Sequence, residues 1–165
     1  MTDVIEELQE ITNGIYVLTV RDGEVRHGMS SSWVTQVSGE PPLVMAAIDR
    51  AHASHAMVER AGAFGLNVVG RGAKALEDWF YSPASRGADN LGPFRYQETA
   101  RGVPLLLDAV VAFECVVDSA FPAGDHTLFV AAVTSVRRGA ADRPLTSLDL
   151  EYAYLGTGRI IKRAR

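Results

Sequence analysis

The apolar residues of this chain fall into short β-rich runs separated by tight turns, and this pattern constrains the fold more than any other feature. Residues 15–20 form such a run, and Asp22-Gly23 then supplies the positive backbone angles of a tight hairpin before Val25 starts the next strand. The 165 residues, 47% hydrophobic and 22% charged, suit one globular domain spanning 1–165. We therefore expect a single domain built largely from antiparallel hairpins.

Residues 27–42 are extended in pattern but more polar than a core strand needs to be. Because side chains alternate along a strand, His27, Ser31 and Trp33 would share one face, and the opposite face would carry further hydroxyls. We interpret the stretch as the second arm of the hairpin, ended by Pro41-Pro42 because proline cannot donate to a β-ladder. Its hydroxyls and aromatic ring suit a flat, heteroatom-rich ligand with an anionic tail, such as flavin mononucleotide (FMN). A solvated edge strand is the alternative.

The remaining periodicity predicts a mainly β fold, a small antiparallel β-barrel with short helices. Strands are expected at 43–48, 64–69, 109–117 and 127–137, with a last short strand within 152–161. Helical spacing predicts an amphipathic helix lying on the domain and two further short helices, at 2–11, 52–61 and 76–80.

Residues 70–75 match a dinucleotide-binding fingerprint, G-x-G-x-x-A. That fingerprint requires a parallel βαβ unit, with an acidic residue at the end of a second strand about twenty residues on. In this chain the acidic position falls within residues 82–93, whose proline and glycine content predicts a loop. We therefore exclude a Rossmann domain and interpret the loop as a lid over a site, because ordered loops of this length are usually functional.

A candidate anion site follows the strand at 43–48. Arg50 precedes a predicted helix that has Ser54 near its start, and the free amides of a first helical turn together with a guanidinium would bind a phosphate. The alternative is that Ser54 only caps the helix and Arg50 is a surface charge.

A second candidate site residue, His126, follows Gly124-Asp125 at a turn, from which an imidazole can reach a site without distorting the next strand. We predict that His126 is catalytic and that Asp125 stabilises positive charge on its ring. A surface histidine is the alternative. Tyr154, in the last predicted strand, is expected to face the same pocket.

Composition limits the compartment and the partners. The net charge of −4 provides no broad attraction for nucleic acid, and no apolar run typical of a signal peptide or membrane span is present. The single cysteine, Cys115, excludes an internal disulfide and is predicted to be inert core. No metal site is predicted, because His52 and His55 lack a third ligand at a recognisable spacing. We expect a cytoplasmic protein without nucleic-acid or membrane partners.

Five motifs occur in the order found in the flavin-reductase-like family, and the chain resembles that family over most of residues 12–160. The motifs are Gly28 to Val44 with its Ser-Ser-Trp and Glu-Pro-Pro segments, Arg50 with Ser54-His55, residues 64–69, residues 103–106, and Gly124-Asp125-His126. The resemblance implies a split barrel of the FMN-binding type and a homodimer with flavin sites near its interface.

The resemblance also implies roles for individual residues. It places along the isoalloxazine ring Ser31, Ser32, Trp33, Val34, Thr35 and Gln36. It assigns the phosphate end of FMN to Arg50, Ser54 and His55, a further cofactor contact to Asn67, and the reactive side of the flavin to His126.

The function that follows is an FMN-binding oxidoreductase, namely an NAD(P)H-dependent flavin reductase. It would pass electrons to another flavin, to a partner protein such as a flavin-dependent monooxygenase, or to a small acceptor. A flavoredoxin-like electron carrier without a nicotinamide substrate is the alternative. A hydrolase is a third class, but the chain has no G-x-S-x-G elbow.

Overall fold

The computed structural model describes residues 3–82 and 87–163. The strands of this part of the chain are β1 (Tyr16–Asp22), β2 (Val25–Ser31), β3 (Val34–Gly39), β4 (Pro42–Asp49), β5 (Ala63–Val68), β6 (Tyr96–Glu98), β7 (Pro104–Leu106), β8 (Val111–Ala123), β9 (His126–Arg138), β10 (Tyr152–Tyr154) and β11 (Ile160–Lys162). The helices are α1 (Val4–Glu7), α2 (Ala53–Ala61) and α3 (Lys74–Tyr81), with short 3-10 turns at Leu8–Glu10, Arg71–Ala73 and Ser147–Asp149.

Seven strands form one antiparallel sheet in the order β2-β1-β5-β8-β9-β4-β3. The edge strands β2 and β3 are consecutive in sequence, and only Ser32-Trp33 separates them. Three Cα–Cα steps span at most about 11 Å, so the two edges of the sheet must approach each other at this link. The sheet therefore curls into a barrel, and the predicted mainly β fold with short helices is confirmed.

The same link corrects the interpretation of residues 27–42 as one hairpin arm. Only the part up to Ser31 pairs with β1, whereas the part from Val34 onward pairs with β4 on the opposite edge of the sheet. Side-chain alternation is thus interrupted at Ser32-Trp33. The predicted turn after β1 is confirmed, with Gly23 at a φ of 62°.

The prediction that the first helix lies with its apolar side on the domain is wrong. The helix α1 has four residues before the 3-10 turn begins. The apolar side chains of the helix and the following turn are exposed, with Val4 76%, Ile5 44%, Leu8 54% and Ile11 58% accessible. Ion pairs from Arg159 to Asp3 and Glu6 hold the segment to the end of the chain, and such exposed pairs contribute little stability.

The core lies on both faces of the sheet because β1 is buried on both sides. Val17 belongs to a cluster that includes Phe80 of α3, whereas Leu18 and Val20 belong to a cluster that includes Val58 of α2. Each helix therefore covers one face.

Cys115 is buried, and burial raises the pKa of its thiol to about 12, so the thiol stays protonated and unreactive.

The segment between α3 and β6 contains the loop interpreted as a lid. Residues 83–86 lie outside the described residues. In the described remainder, the Asn90 side chain donates to the Gly28 carbonyl and accepts from the Gly28 amide, and Leu91 is buried. This part of the loop is bonded to the edge of β2, and the interpretation of residues 82–93 as a lid stays a prediction.

Polar residues buried in the sheet also serve the architecture. Asn67 in β5 is fully buried; its amide donates to the Val17 carbonyl and to Thr19 Oγ1, and its side-chain oxygen accepts from the Leu106 amide. All of these bonds join β5 to its neighbours β1 and β7.

The strand β5 pairs antiparallel with β1 and β8. The described residues therefore hold no parallel βαβ unit around 70–75, and the exclusion of a Rossmann domain is confirmed.

We expect Asn67→Ala to lower the free energy of unfolding by about 2–4 kcal/mol, because it leaves several buried polar groups without partners. Asn13→Ala is the matched control, since its side chain makes one exposed hydrogen bond to the Ile11 carbonyl. The control should cost less than about 1 kcal/mol. Urea unfolding measures both values, and equal losses would contradict the role given to Asn67.

Candidate functional site

A cleft of about 840 Å³ opens at the end of the barrel where the two sheet edges are joined. Its wall is formed by β2 with the Ser32-Trp33 link, the end of β4, the first turn of α2, α3, β10 and the start of β9. This volume lies within the range of small-molecule and cofactor sites.

No helix in the described part of the chain is long and apolar enough to cross a membrane.

Three aromatic rings from distant parts of the sequence meet in the cleft. The ring centroids of Trp33 and His126 are 4.7 Å apart, and those of Trp33 and Tyr154 are 5.2 Å apart. The strand register explains the meeting, because His126 opens β9 opposite Asp49 at the end of β4, while the Ala47 amide donates to the Trp33 carbonyl. Barrel closure thus creates an aromatic surface.

The imidazole of His126 is fixed by its neighbour in sequence. Its Nδ1 lies 2.6 Å from Asp125 Oδ1, and the side chain is almost fully buried. A carboxylate only accepts, so Nδ1 carries the proton and Nε2 is the nitrogen left for a ligand. The same hydrogen bond is the main reason that the pKa of Asp125 is lowered.

Arg50 stabilises this turn and does not line the cleft. Its guanidinium donates to the Gly124 carbonyl, and its backbone amide donates to the Asp125 carbonyl at 3.1 Å. Gly124, at a φ of 58°, and Asp125 form the whole turn between β8 and β9. Arg50 therefore positions His126 from outside the cleft.

A buried carboxyl group forms another part of the cleft wall. Glu77 of α3 accepts from Ser30 Oγ at 2.6 Å and from the Tyr152 hydroxyl at 3.0 Å. Burial is the main reason that its pKa is raised, although both hydrogen bonds act in the opposite direction. Burial also raises the pKa of Tyr154, to about 12, so this hydroxyl stays protonated and its proton points to Asp49 Oδ2 at 3.5 Å.

The first turn of α2 borders the cleft and is capped by a histidine. His52 Nδ1 accepts from the Ser54 amide, and Gly62 ends the helix at a φ of 65°. His52 and not Ser54 is therefore the cap. Two buried polar atoms near this turn, Ser54 Oγ and His27 Nε2, have no hydrogen-bond partner in the described part of the chain.

The residues predicted for the site divide into two groups. Those that line the cleft are Ser31, Ser32, Trp33, His126 and Tyr154. Those that lie elsewhere are Val34, Thr35, Gln36, Arg50, Ser54, His55 and Asn67.

Most residues of the second group make other contacts, whereas Ser54 is buried with its Oγ unpartnered in the described part of the chain. Thr35 and Gln36 are exposed on the edge strand β3, and Val34 packs against the core. His55 Nε2 bonds to Thr127 Oγ1 at 2.7 Å, on the side of α2 that faces β9.

Sequence reasoning missed three residues of the cleft wall. His27 was counted only within the polar stretch, His52 only as a possible metal ligand, and Glu77 not at all. The sequence does contain a signal for Glu77. It lies three and four residues before Phe80 and Tyr81, so on a helix the three side chains share one face, and an aromatic face of this kind is expected to pack against the domain. Within residues 3–82 and 87–163, no three His, Cys, Asp or Glu side chains are grouped to hold a metal ion.

A family model described as "Flavin reductase like domain" matches residues 8–156. The chain belongs to the flavin reductase-like family. The chain is 34% identical over 145 residues to the NADH-dependent flavin reductase StyB of Pseudomonas fluorescens. The match covers 87% of this chain and 82% of StyB.

Other relatives differ in length. Diflavin flavoprotein A 1 of Synechocystis sp. is 30% identical over 142 residues, and the chain spans only 25% of its length. A solved structure, BorF, is the flavin reductase component of a bacterial two-component tryptophan halogenase. It matches this family member with a TM-score of 0.76 at 25% identity, covering 94% of this chain and 93% of that chain.

The raised pKa of Glu77 predicts a pH-dependent effect of Glu77→Gln. The folded protein holds the Glu77 proton more tightly than the unfolded chain, so ionised Glu77 costs stability above the ordinary carboxyl range. The variant should melt at a higher temperature than the parent at about pH 8, and the difference should shrink as the pH falls to about 4. Asp78→Asn is the control, because Asp78 is exposed and paired with Lys74. If the difference in melting temperature between Glu77→Gln and the parent stays constant from about pH 4 to about pH 8, the raised pKa of Glu77 is contradicted.

Proposed function

We propose that this protein binds FMN in the cleft, reduces it with NADH or NADPH, and passes the electrons to a partner oxygenase or another acceptor. The observation that carries the proposal is that one cleft combines an aromatic and hydroxyl-bearing wall with the first turn of a helix. The first suits a flavin ring and the second suits a phosphate.

The residues present fit a phosphate group at α2. The helix has nine residues. The Ser54 amide donates to His52 Nδ1 and the His55 amide to the His52 carbonyl, so in the described part of the chain the Ala53 amide is the first-turn amide left for an anion. His27 lines the cleft, and its Nε2 is a buried polar atom without a partner in the described chain; such an atom is costly unless a ligand satisfies it. Arg50, bonded to the β8–β9 turn, is not needed for this phosphate site.

When bound, the flavin supplies the hydride chemistry, and the chain positions it. Ser31 and Ser32 line the cleft and offer hydroxyl groups for the polar edge of the ring, and Trp33 provides an aromatic contact surface. His126, with Nδ1 held by Asp125, keeps Nε2 for the flavin or the nicotinamide. A proton on Nε2 would stabilise negative charge that develops on the reduced ring.

Relatives support the electron donor and the partner. StyB is named as an NADH-dependent flavin reductase, and BorF serves a two-component halogenase. By analogy we propose a nicotinamide donor and a flavin-dependent oxygenase as acceptor. The chain would work in the cytoplasm, where a nicotinamide pool is available to it.

We further propose a homodimer whose partner chain covers the exposed apolar segment at residues 4–11. Ile5, Leu8 and Ile11 are exposed and also line the cleft, as does Ile160 of β11. An apolar rim continuous with a ligand cleft indicates an interaction surface. A second chain seated there would complete the flavin site.

Anaerobic mixing with NADH or NADPH should bleach the bound flavin. His126→Gln should slow this reduction by about tenfold or more, because the charge on the reduced ring loses its partner. Ser135→Ala, on the same strand but outside the cleft, should leave the rate unchanged. Stopped-flow absorbance measures the rates, and apo-protein melting checks folding. A flavin that dithionite reduces but neither nucleotide reduces would favour the electron carrier instead.

Leu8→Glu should convert the dimer to a monomer and weaken FMN binding, because it places a charge in an apolar interface. Val136→Glu is the matched control, since Val136 is 61% exposed but does not line the cleft. Sedimentation velocity measures the oligomeric state. A parent protein that is monomeric and still binds FMN at micromolar concentration would remove the dimer from the proposal.

A further inference from the structure

We propose that His27 makes phosphate binding in the cleft proton-dependent: a flavin phosphate is bound only as His27 takes up a proton at Nε2. This inference rests on the proposed function and adds a residue and a pH dependence to it. His27 lines the cleft on β2, is 3% exposed, and its ring centroid lies 5.9 Å from that of His52 at the start of α2.

The hydrogen bond on the other side of the ring decides the tautomer of His27. Nδ1 lies 2.8 Å from the Ala88 carbonyl oxygen, which can only accept, so Nδ1 carries a proton. In the neutral ring Nε2 is then a lone-pair acceptor. Phosphate oxygens are also acceptors, so the neutral ring repels them, whereas the doubly protonated ring donates to them.

His52 has the opposite arrangement. Its Nδ1 accepts from the Ser54 amide, so the neutral ring already carries its proton on Nε2 and can donate without a change of charge. Although part of this side chain meets solvent, partial desolvation and the nearby His27 lower its pKa. His52 therefore contributes to phosphate binding in the same way across neutral pH, and the proton dependence belongs to His27.

Other titratable groups on the elements around His27 do not substitute for this proton. They are His52 at the cap of α2, Asp49 at the end of β4, Glu77 on α3 and Asp89 beside Ala88. An ionised carboxylate offers no donor to a phosphate, and the Glu77 carboxyl group is already engaged by Ser30 and Tyr152. Bound phosphate adds further negative charge, so ligand and proton bind cooperatively.

The test compares FMN with riboflavin, which has the same ring and no phosphate. Above about pH 7 the phosphate is already a dianion, so its own titration does not contribute. The affinity ratio of FMN to riboflavin in the parent protein should fall as the pH rises above about 7, with a limiting slope of about tenfold for each pH unit for the uptake of one proton. Calorimetry in buffers of different ionisation enthalpy should show about one proton taken up with FMN and almost none with riboflavin.

Two variants separate His27 from its neighbour. His27→Gln should abolish the pH dependence of the ratio. His52→Asn, which retains a side-chain acceptor for the helix cap, should keep that dependence. The calorimetric proton count on the parent protein decides the matter if His27→Gln does not fold.

Three results would overturn the inference. The first is an FMN preference that is constant with pH, and the second is an equal pH dependence in His27→Gln. In both cases FMN binding itself persists, so the proposed function stands. The third is the absence of flavin binding at every pH, which would overturn the proposed function together with this inference.

Discussion

The two-residue link between β2 and β3 is the constraint on which the rest of the structure depends. It joins the two edges of a seven-stranded sheet, so the sheet must close at that end. Closure brings Trp33 against His126 and Tyr154, residues separated by more than ninety positions in sequence. The polar segment before the link then lines a cleft, because its strand has become the edge beside an opening.

Buried polar groups in this protein serve two different purposes. Asn67 and Asn90 have hydrogen bonds directed to the backbone of neighbouring strands, and they hold the barrel together. Glu77 lies in the cleft wall with its charged form disfavoured, and His27 keeps one buried nitrogen without a partner in the described chain. Groups of the second kind cost stability, which is typical of sites that await a ligand.

Sequence similarity to this chain extends across proteins of very different length, from a reductase similar in size to this chain to a diflavin protein about four times longer. A shared fold does not determine chemistry, because chemistry resides in the side chains of the site. In this chain the side chains that line the candidate cleft include the histidines at the start of α2 and on β2, the carboxyl group of α3, and His126, which is held by Asp125. Arg50 contributes by holding the turn that carries His126.

The sequence by itself determined the features that depend on near neighbours. The Asp22-Gly23 hairpin, the antiparallel strands and the end of α2 at Gly62 follow from turn geometry and local periodicity. The family motifs also lie in the sequence. Tertiary structure alone decided where the polar strand divides, because pairing with β1 or β4 is a long-range choice. It also decided which polar side chains face the cleft. Asn67 and His27 are both polar in sequence, but two backbone groups and the Thr19 hydroxyl bond to the Asn67 side chain, whereas His27 keeps one nitrogen without a partner in the described chain.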